Sequence, residues 1–490
     1  MEWLFWISFI VGVLFLVIPV LNFFTLHRLQ KISLKDLKKI FDRSQGSAGN
    51  FGDLYLPKVS LMIPMRNEAH NLIKTLPKFL SQDYPNLEII LIDDHSDDNT
   101  YKVCKKLIKE YNAESKAKVV SGKTLPRGWM GKSWALWQTS KLASGELYLF
   151  FDADVYVDKG AVRSLVYEMK NRSLCMLSCF PKQIMKSIGE KLTVPIISWG
   201  VFAFMPVILI GSKKWKKTAV ANGQCILIKR SCYDKIGGHK AIRHEIVDDV
   251  SMARMVKKVN FDYGICFGEK LVSCRMYHDF KSGALGFIKS IFRGAKMHPL
   301  LYAASFTIVF GIYIVGFFGM FIWSWILPLG IALLLQRTII SVTSRENLFW
   351  SILLFPLVLI VFPSLALISF VKSHFGSVEW KGRAYVLGDD SISVRWDLSV
   401  LRSKLNISSE LAHKLGSWKL RKHLLSRMHE VQEKASQVSE SVSEYVHEAK
   451  EAALVKFSSA KNGAKQKAKN ATKKAKRKVA SMKSSFKRRD

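Results

Sequence analysis

The stretch "LYLFFDADVYVD" (147–158) holds the residues whose types and spacing most clearly suggest chemistry. An apolar run ends in two carboxylates, Asp152 and Asp154, with one small residue between them. Carboxylates at the end of a buried strand are costly to desolvate unless a cation or hydrogen-bond donors meet them. Hard cations bind one or two protein carboxylates and complete their shell with phosphates and water. The spacing therefore predicts a site for Mg²⁺ or Mn²⁺ that holds a phosphorylated ligand.

Three further motifs carry charged side chains. "IPMRNEAHNL" (63–72) begins the first predicted helix after a strand, "IDDHSDDNT" (92–100) ends the second strand, and "HEIVDDVSMARMV" (244–256) offers another acidic pair entering a helix. "GWMGKS" (128–133) ends like a phosphate-binding P-loop, but Pro126 stands where the pattern requires its first glycine. No G-x-G-x-x-G follows the first strand either. A divalent cation is therefore the main candidate for holding a phosphate.

The elements that must position these residues alternate between short apolar runs and helical stretches. The runs predict strands at 59–65, 87–93, 117–121 and 147–153, and the intervening patterns predict helices at 68–80, 99–111 and 132–142. Such alternation is typical of an α/β domain with a largely parallel sheet and helices on both faces. Ligands of these sheets bind beyond the carboxyl ends of the strands. We therefore expect Asp93–Asp94 and Asp152–Asp154 to share one crevice.

Apolar segments predict a membrane protein. Residues 3–24 carry no charge and reach the roughly 20 residues that a spanning helix needs. The run is long for a cleaved signal and is followed by basic residues, which predicts a signal anchor with a cytoplasmic catalytic region behind it. Residues 195–210 are short and contain Pro206, which favours an interfacial or re-entrant segment. Residues 299–372 read as two or three further crossings.

The net charge of +35 is unevenly distributed. Residues 461–490 contain 13 Lys or Arg and one acid. The excess of positive charge in the rest of the chain is expected of a protein that lies against anionic lipid. The tail lacks interleaved aromatic residues, which argues against stacking on nucleic-acid bases. Apolar residues at 424–449 form a heptad-like stripe that predicts either a surface helix or a site of oligomerisation. The seven cysteines lie mostly in apolar runs and predict reduced, buried thiols.

The motifs together resemble one enzyme family. "PMRNE", "IDDHSDDNT", "GWMGKSWAL", "FFDADV", "GGHKAIRHEIVDD", "CRMYHDF" and "EWKGRAY" occur in this order in membrane-bound family 2 glycosyltransferases of the GT-A fold. The chain most resembles the 4,4'-diaponeurosporenoate and hopanoid-associated branches, over residues 1–385. The resemblance implies a nucleotide-diphospho-sugar transferase that moves a sugar from a UDP-sugar to a membrane lipid with inversion. The Q-x-x-R-W motif of processive members is absent from the sequence, which favours transfer of a single sugar, with glucose expected.

The resemblance also implies roles for individual residues on the donor side. The nucleotide pocket would be lined by Pro64, Arg66, Glu68 and Asp94, with Asp94 facing the base. Lys132 would lie near the diphosphate, although an ordinary surface lysine is the alternative. Asp152 would approach the ribose and the metal, and Asp154 would be the main metal ligand.

Other residues are assigned to the acceptor side. Asp249 matches the catalytic base and Asp248 its acidic neighbour, although Asp248 could instead favour the start of a helix. His239, His244 and Arg275 are candidates for contact with the acceptor. Arg275, like the "WKGR" segment (380–383), could equally be an anchor at the membrane interface.

The sequence thus divides into seven parts. These are a membrane anchor (1–26), a basic linker (27–57), the GT-A domain (58–298), a C-terminal transmembrane region (299–372), a juxtamembrane segment (373–403), an amphipathic helix (404–460) and a Lys-rich disordered tail (461–490). The expected acceptor is a carotenoid acid or another isoprenoid lipid, with a glycerolipid or sphingoid lipid as the alternative. A hypothesis of another class is a membrane-tethered protein whose basic tail binds nucleic acid or anionic lipid.

Overall fold

The computed structural model describes residues 2–42, 55–212, 215, 219–295, 297–375, 377–380, 383–388 and 391–395, with side chains as far as residue 373. The predicted amphipathic helix 404–460, its stripe 424–449 and the Lys-rich tail 461–490 lie outside the described residues.

Within the described ranges, seven strands form a central sheet in the spatial order β3-β2-β1-β4-β8-β6-β9. The strands of the structure are β1 (Val59–Met65), β2 (Leu87–Asp93), β3 (Ala117–Ser121), β4 (Leu147–Phe151), β5 (Val155–Val157), β6 (Met176–Phe180), β7 (Lys182–Gln183), β8 (Cys225–Lys229), β9 (Tyr263–Phe267), β10 (Val272–Cys274), β11 (Ser377–Trp380), β12 (Arg383–Gly388) and β13 (Ser391–Arg395). Strands β5, β10 and β7 form a second sheet, and β11, β12 and β13 a third.

The central sheet is mixed, with one reversed strand. β1 pairs in parallel with β2 and β4, β2 with β3, and β6 with β9. β8 runs antiparallel to both β4 and β6. The reversal arises because the chain leaves β6, passes through residues 184–224 and re-enters the sheet from the opposite direction. The predicted, largely parallel sheet is therefore correct for every strand except this one.

Helices cover both faces of the sheet. They are α1 (Glu2–Thr25), α2 (Leu34–Asp42), α3 (Ala69–Leu80), α4 (Thr100–Glu110), α5 (Gly131–Leu142), α6 (Ala161–Asn171), α7 (Ile188–Thr193), α8 (Pro195–Phe202), α9 (Val207–Ile210), α10 (Arg230–Lys235), α11 (Gly238–Ala241), α12 (Asp248–Lys258), α13 (Phe280–Ala295), α14 (Pro299–Gly319), a 3₁₀ turn (Ser324–Ile326), α15 (Leu327–Thr343), α16 (Leu348–Leu353) and α17 (Phe355–Phe375).

Alternate strand residues enter two different cores, because successive side chains of a strand point to opposite faces. Leu149 packs with α3, α4 and α6 on one face, whereas Phe150 packs with α12 on the other. The second core continues into the apolar helices and includes Phe310 and Leu333. Because both faces are covered, the strands read in sequence as nearly continuous apolar runs.

Four helical segments within the described residues are long and apolar enough to cross a membrane. They are Glu2–Thr25, Pro299–Gly319, Ser324–Thr343 and Phe355–Ser373. Three of them fall in the C-terminal region, where the sequence left two or three crossings open.

Asn22 of α1 satisfies the backbone where the segment 195–210 breaks between α8 and α9. Its Nδ2 donates to the carbonyls of Phe202 (3.0 Å) and Met205 (2.9 Å), and its Oδ1 accepts from the N–H of Val207 (2.7 Å). Asn22 is fully buried. Non-helical backbone at membrane depth is tolerated only when its polar groups find such partners.

Replacing Asn22 with leucine should destabilise the protein, because two carbonyls and one N–H lose their partner. Each buried unpaired group costs about 1–3 kcal/mol. We expect the Tm in detergent to fall by several degrees, because a loss of about 1 kcal/mol lowers the Tm of a large domain by about 2 °C. Val20→Leu, on the lipid-facing side of the same helix, should leave the Tm unchanged. Equal shifts for the two variants would contradict the role of Asn22.

Candidate active site

The turn that carries the acidic pair is held by its backbone. The N–H of Asp152 donates to the carbonyl of Gln224 (3.3 Å), and the N–H of Val155 donates back to the carbonyl of Asp152 (3.2 Å). The hydroxyl of Thr75, on α3, donates to the carbonyl of Ala153 (2.7 Å). The turn therefore projects both carboxylates beyond the end of β4 in a fixed orientation.

Lys132, in the first turn of α5, lies among carboxylates. Its Nζ is 2.6 Å from Oδ1 of Asp152 and donates to the carbonyl of Gly223 (3.3 Å). Burial disfavours the charged ammonium, but the carboxylates of Asp152, Asp248 and Asp249 outweigh burial and raise the pKa of this lysine. The structure therefore brings together four of the predicted site residues, and Lys132 is not an ordinary surface lysine.

Asp249 has a strongly perturbed carboxyl group. Its Oδ2 accepts from the N–H of Gly223 and its Oδ1 from the N–H of Val250, both at 2.7 Å. Burial, with the adjacent charge of Asp248, raises the pKa of Asp249 to about 6, although Lys132 and the two N–H donors oppose the rise. A carboxylate with this proton affinity suits a general base near neutral pH.

Gly223 is required at this point by close approach. A Cβ atom on Gly223 would lie 3.2 Å from Oδ2 of Asp249 and 3.2 Å from Nζ of Lys132. Asp248 occupies the first turn of α12, and its Oδ1 accepts from the N–H of Asp249 (3.1 Å). This contact also agrees with the alternative role of Asp248 at a helix start.

The predicted nucleotide-pocket residues lie at the ends of β1 and β2. Nη1 of Arg66 donates to the carbonyls of Asp94 (2.9 Å) and His95 (2.8 Å), and the N–H of Asp94 donates to the carbonyl of Met65 (2.8 Å). Arg66 therefore fixes the loop that follows β2. Pro64 lies within β1, two residues before Arg66.

Glu68 links this group to the acidic pair. Its Oε2 accepts from Nδ2 of Asn71 (2.7 Å). Burial, then the carboxylates of Asp154 and Asp152 and, more weakly, that of Glu68 raise the pKa of the Cys274 thiol. The charges of all three carboxylates therefore act on one buried thiol, which agrees with the prediction that Glu68 and the acidic pair belong to one site.

The three candidates for the acceptor side lie in different environments. His239 is 2% exposed, its Nδ1 is 2.8 Å from Oη of Tyr233, and burial lowers its pKa to about 3. Contact between His239 and an acceptor would require the ring to become exposed. The side chain of His244 is 55% exposed and lies 4.0 Å from Glu245.

The third candidate, Arg275, is bound to Glu190. Its Nε lies 2.8 Å from Oε1 and its Nη2 3.3 Å from Oε2 of that carboxylate. Glu190 also completes a capping box with Ser187 at the start of α7. The guanidinium therefore joins the end of β10, next to Cys274, to the start of α7. The acceptor role of Arg275 stays a prediction.

Several residues of the site carried no recognisable motif. Thr75, Gly223, Gln224 and Cys274 support the acidic residues through backbone or side-chain contacts. The polar run Asn222-Gly223-Gln224 directly before the buried β8 is the signal that could have revealed two of them. The other two lie in ordinary helix and strand patterns. All seven cysteines are free thiols, and six of them are buried, as predicted.

The acidic pair fits a hard cation with an incomplete protein shell. Among the residues described, no group of three or more His, Cys, Asp or Glu side chains could hold a metal ion by itself. Asp152 and Asp154 nevertheless provide two carboxylates at one turn, and carboxylate oxygens are the protein ligands that Mg²⁺ prefers. The donor set therefore suits Mg²⁺ or Mn²⁺, for which a diphosphate and water would have to supply the remaining ligands.

Comparisons with known proteins assign the central part of the chain to a family. The family model described as glycosyl transferase family 2 matches residues 60–237. Residues 60–237 form a family 2 glycosyltransferase domain. The chain therefore contains a glycosyltransferase domain, and the predicted α/β domain with apolar helices before and after it is confirmed.

Individual relatives are more distant. The chain is 27% identical over 246 residues to a 4,4'-diaponeurosporenoate glycosyltransferase from Staphylococcus haemolyticus, a match that covers 49% of this chain and 62% of the relative. Identity to the protein of the same name from Staphylococcus aureus strain USA300 is 26% over 353 residues, covering 68% and 89%. A solved mannosyltransferase from Pyrobaculum calidifontis, in complex with GDP-Man and Mn²⁺, has 16% identity and a TM-score of 0.42, covering 76% of this chain and 99% of that one.

The Glu190–Arg275 pair makes stability depend on acid pH. Burial raises the pKa of Glu190, but Arg275 and the hydrogen bonds from Ser187 and Lys186 outweigh burial and lower it from 4.5 to about 2. A carboxyl group with a lowered folded-state pKa stabilises the fold above its unfolded pKa, and this stability is lost as pH falls from 4.5 towards 2.

We therefore expect Glu190→Gln to lower the Tm at pH 7 and to shrink the difference in Tm between pH 7 and pH 3.5. Thermal melting in detergent at the two pH values measures both effects. Glu114→Gln, at an exposed carboxylate, is the matched control and should behave like the unsubstituted protein. If the Tm difference between pH 7 and pH 3.5 is as large in Glu190→Gln as in Glu114→Gln, the Glu190–Arg275 pair is not its cause.

Proposed function

We propose that this glycosyltransferase moves a single sugar, with glucose as the first candidate, from a UDP-sugar to a membrane lipid. The proposed acceptor is a carotenoid acid or another isoprenoid lipid, as the names of the relatives suggest. The observation that carries the proposal is the cluster around Lys132, where the acidic turn after β4 meets the perturbed carboxyl group of Asp249.

On the donor side, this chain's own residues would hold a nucleoside diphosphate. Asp152 and Asp154 would bind Mg²⁺ or Mn²⁺, which when bound neutralises the leaving diphosphate. The ammonium of Lys132 keeps its charge at neutral pH and offers a second counter-charge. Arg66 holds the loop after β2 that would border the nucleoside.

On the acceptor side, Asp249 would act as the base. The N–H groups of Gly223 and Val250 orient its carboxylate. As the acceptor oxygen attacks the anomeric carbon, its proton passes to Asp249. The new carbon–oxygen bond forms while the bond to the diphosphate oxygen breaks, and UDP leaves. One in-line displacement of this kind inverts the anomeric configuration.

The membrane segments suit a lipid acceptor. Four apolar helices indicate association with a membrane, and we propose a multi-pass protein. The residues after α1 include Arg28, Lys31 and Lys35, which favours a cytoplasmic position for the catalytic domain. Helix α8 packs between the sheet and the apolar helices. A lipid acceptor in the bilayer could therefore reach the catalytic domain without leaving the membrane.

The first test concerns donor, metal and Asp154. Membranes containing the protein are incubated with labelled UDP-sugars, UDP-glucose among them, and lipid extracts with and without Mn²⁺. We expect Mn²⁺-dependent label in a lipid, and a loss of at least about 100-fold in Asp154→Asn, because a metal ligand is removed. Asp158→Asn, an exposed acid four residues later that pairs with Lys78, should retain activity. Full activity in Asp154→Asn would refute the proposed metal site.

The second test uses the pH dependence. A base with a pKa of about 6 is active when deprotonated, so kcat/KM should fall about tenfold per pH unit below pH 6 and level off above it. Because Lys132 lowers the pKa of Asp249, Lys132→Met should move this acid limb to higher pH. Lys141→Met, on the exposed end of the same helix, should leave it in place. If the acid side of the kcat/KM profile does not shift in Lys132→Met, the assignment of Asp249 as base is contradicted.

A further inference from the structure

A chain of buried and partly buried hydrogen bonds leads from β7 and the start of β8 towards Asp154. Nε2 of Gln183 donates to the carbonyl of Pro181 (3.2 Å) and to Oε1 of Gln224 (2.9 Å). Nε2 of Gln224 donates to Sγ of Cys274 (3.0 Å), and strand pairing aligns Cys274 with Val155, the residue after Asp154. Burial, together with the carboxylate of Asp154, raises the pKa of the Cys274 thiol, as expected where a thiol lies close to a negative charge. Three side chains are therefore joined in series, and the last of them, Cys274, lies beside the turn that carries Asp154.

The direction of this chain is fixed at both ends. The carbonyl of Pro181 can only accept, so the atom of Gln183 that faces it is the amide nitrogen. The same nitrogen faces Gln224, whose oxygen must therefore point towards Gln183 and whose nitrogen must point towards Cys274. The sulfur already accepts this bond, which leaves its proton for Asp154, an acceptor when ionised.

The small sheet brings these residues together. β10 pairs in parallel with β7, which aligns Cys274 with Gln183, and antiparallel with β5, which aligns Cys274 with Val155, the neighbour of Asp154. Cys274 has no exposed surface and Gln224 is 5% exposed. Solvent therefore cannot supply the contacts that these side chains make.

Gln224 supports both acids of the turn. Its backbone carbonyl accepts from the N–H of Asp152 (3.3 Å), while its side chain acts on Asp154 through Cys274. A shift of Gln224 would therefore move the two carboxylates together.

We infer that Cys274 and Gln224 are positioning residues that hold the carboxyl group of Asp154 in the orientation needed to bind a divalent cation. This inference rests on the proposed metal site. Carboxylates that bind metals are themselves held by outer hydrogen bonds, and loss of such a bond costs about 10–100-fold in metal affinity. Cys274 thus acts as a hydrogen-bond donor and not as a metal ligand or a nucleophile.

The test measures Mn²⁺ binding to the full-length protein in detergent with saturating UDP, by the electron paramagnetic resonance signal of free Mn²⁺. Cys274→Ala should weaken Mn²⁺ binding about tenfold or more, because the donor to Asp154 is lost. Cys274→Ser, which restores a donor, should recover most of that loss. Cys266→Ala is the matched control: it removes another fully buried thiol, next to Cys179 and remote from the acidic pair, and should leave Mn²⁺ affinity unchanged.

Thermal melting of each variant separates loss of metal binding from loss of folding. If Cys274→Ala does not fold, Gln224→Met takes its place, since it removes the donor to the sulfur and should also weaken Mn²⁺ binding. The inference would be overturned, while the proposed metal site would stand, by either of two results. The folded variant could bind Mn²⁺ as tightly as the unsubstituted protein, or Cys274→Ser could fail to restore binding. An unsubstituted protein that binds no Mn²⁺ in the presence of UDP would overturn the proposed metal site as well.

Discussion

The ammonium of Lys132 is the interaction on which the site depends. Three carboxylates converge on it from the end of β4 and the start of α12, and like charges in a poorly solvated space repel one another. With the lysine present, these elements can meet while Asp152 remains paired at 2.6 Å. Lys132 lies in the first turn of α5, where the "GWMGKS" motif ends. The motif resembles a phosphate loop, but it contributes one charged side chain to the cluster.

The packing that supports this cluster extends into the apolar helices. One hydrophobic core joins Phe150 of the sheet with Trp199 of α8 and Tyr313 of α14. Nε1 of Trp199 donates to Oη of Tyr313 (3.2 Å), which donates to Oε1 of Gln336 (2.5 Å). These bonds pair the polar side chains of the apolar helices, while Asn22 satisfies the backbone groups at the break between α8 and α9. The catalytic sheet and the membrane helices therefore share one core instead of being joined by a linker.

Local patterns in the sequence predicted much of this architecture. Strands Val59–Met65, Leu87–Asp93 and Ala117–Ser121 have the predicted bounds, because each is a short apolar run between turn residues. The reversed strand β8 could not be predicted, since strand direction depends on pairing with distant residues. The contribution of Cys274 was hidden for the same reason: its position beside Val155 follows from sheet register and not from any motif.

The proton affinity of Asp249 shows why both its acidic and its basic neighbours are needed. Burial and Asp248 alone would favour the protonated form, and a protonated carboxyl group cannot accept a proton from the acceptor. Lys132 and the N–H groups of Gly223 and Val250 alone would stabilise the carboxylate so far that it became a weak base. Because the two sets oppose each other, the pKa of Asp249 lies near 6, so that the group is ionised at neutral pH and still attracts a proton. The cluster around Lys132 therefore sets the proton affinity of the proposed base as well as the charge balance of the proposed donor site.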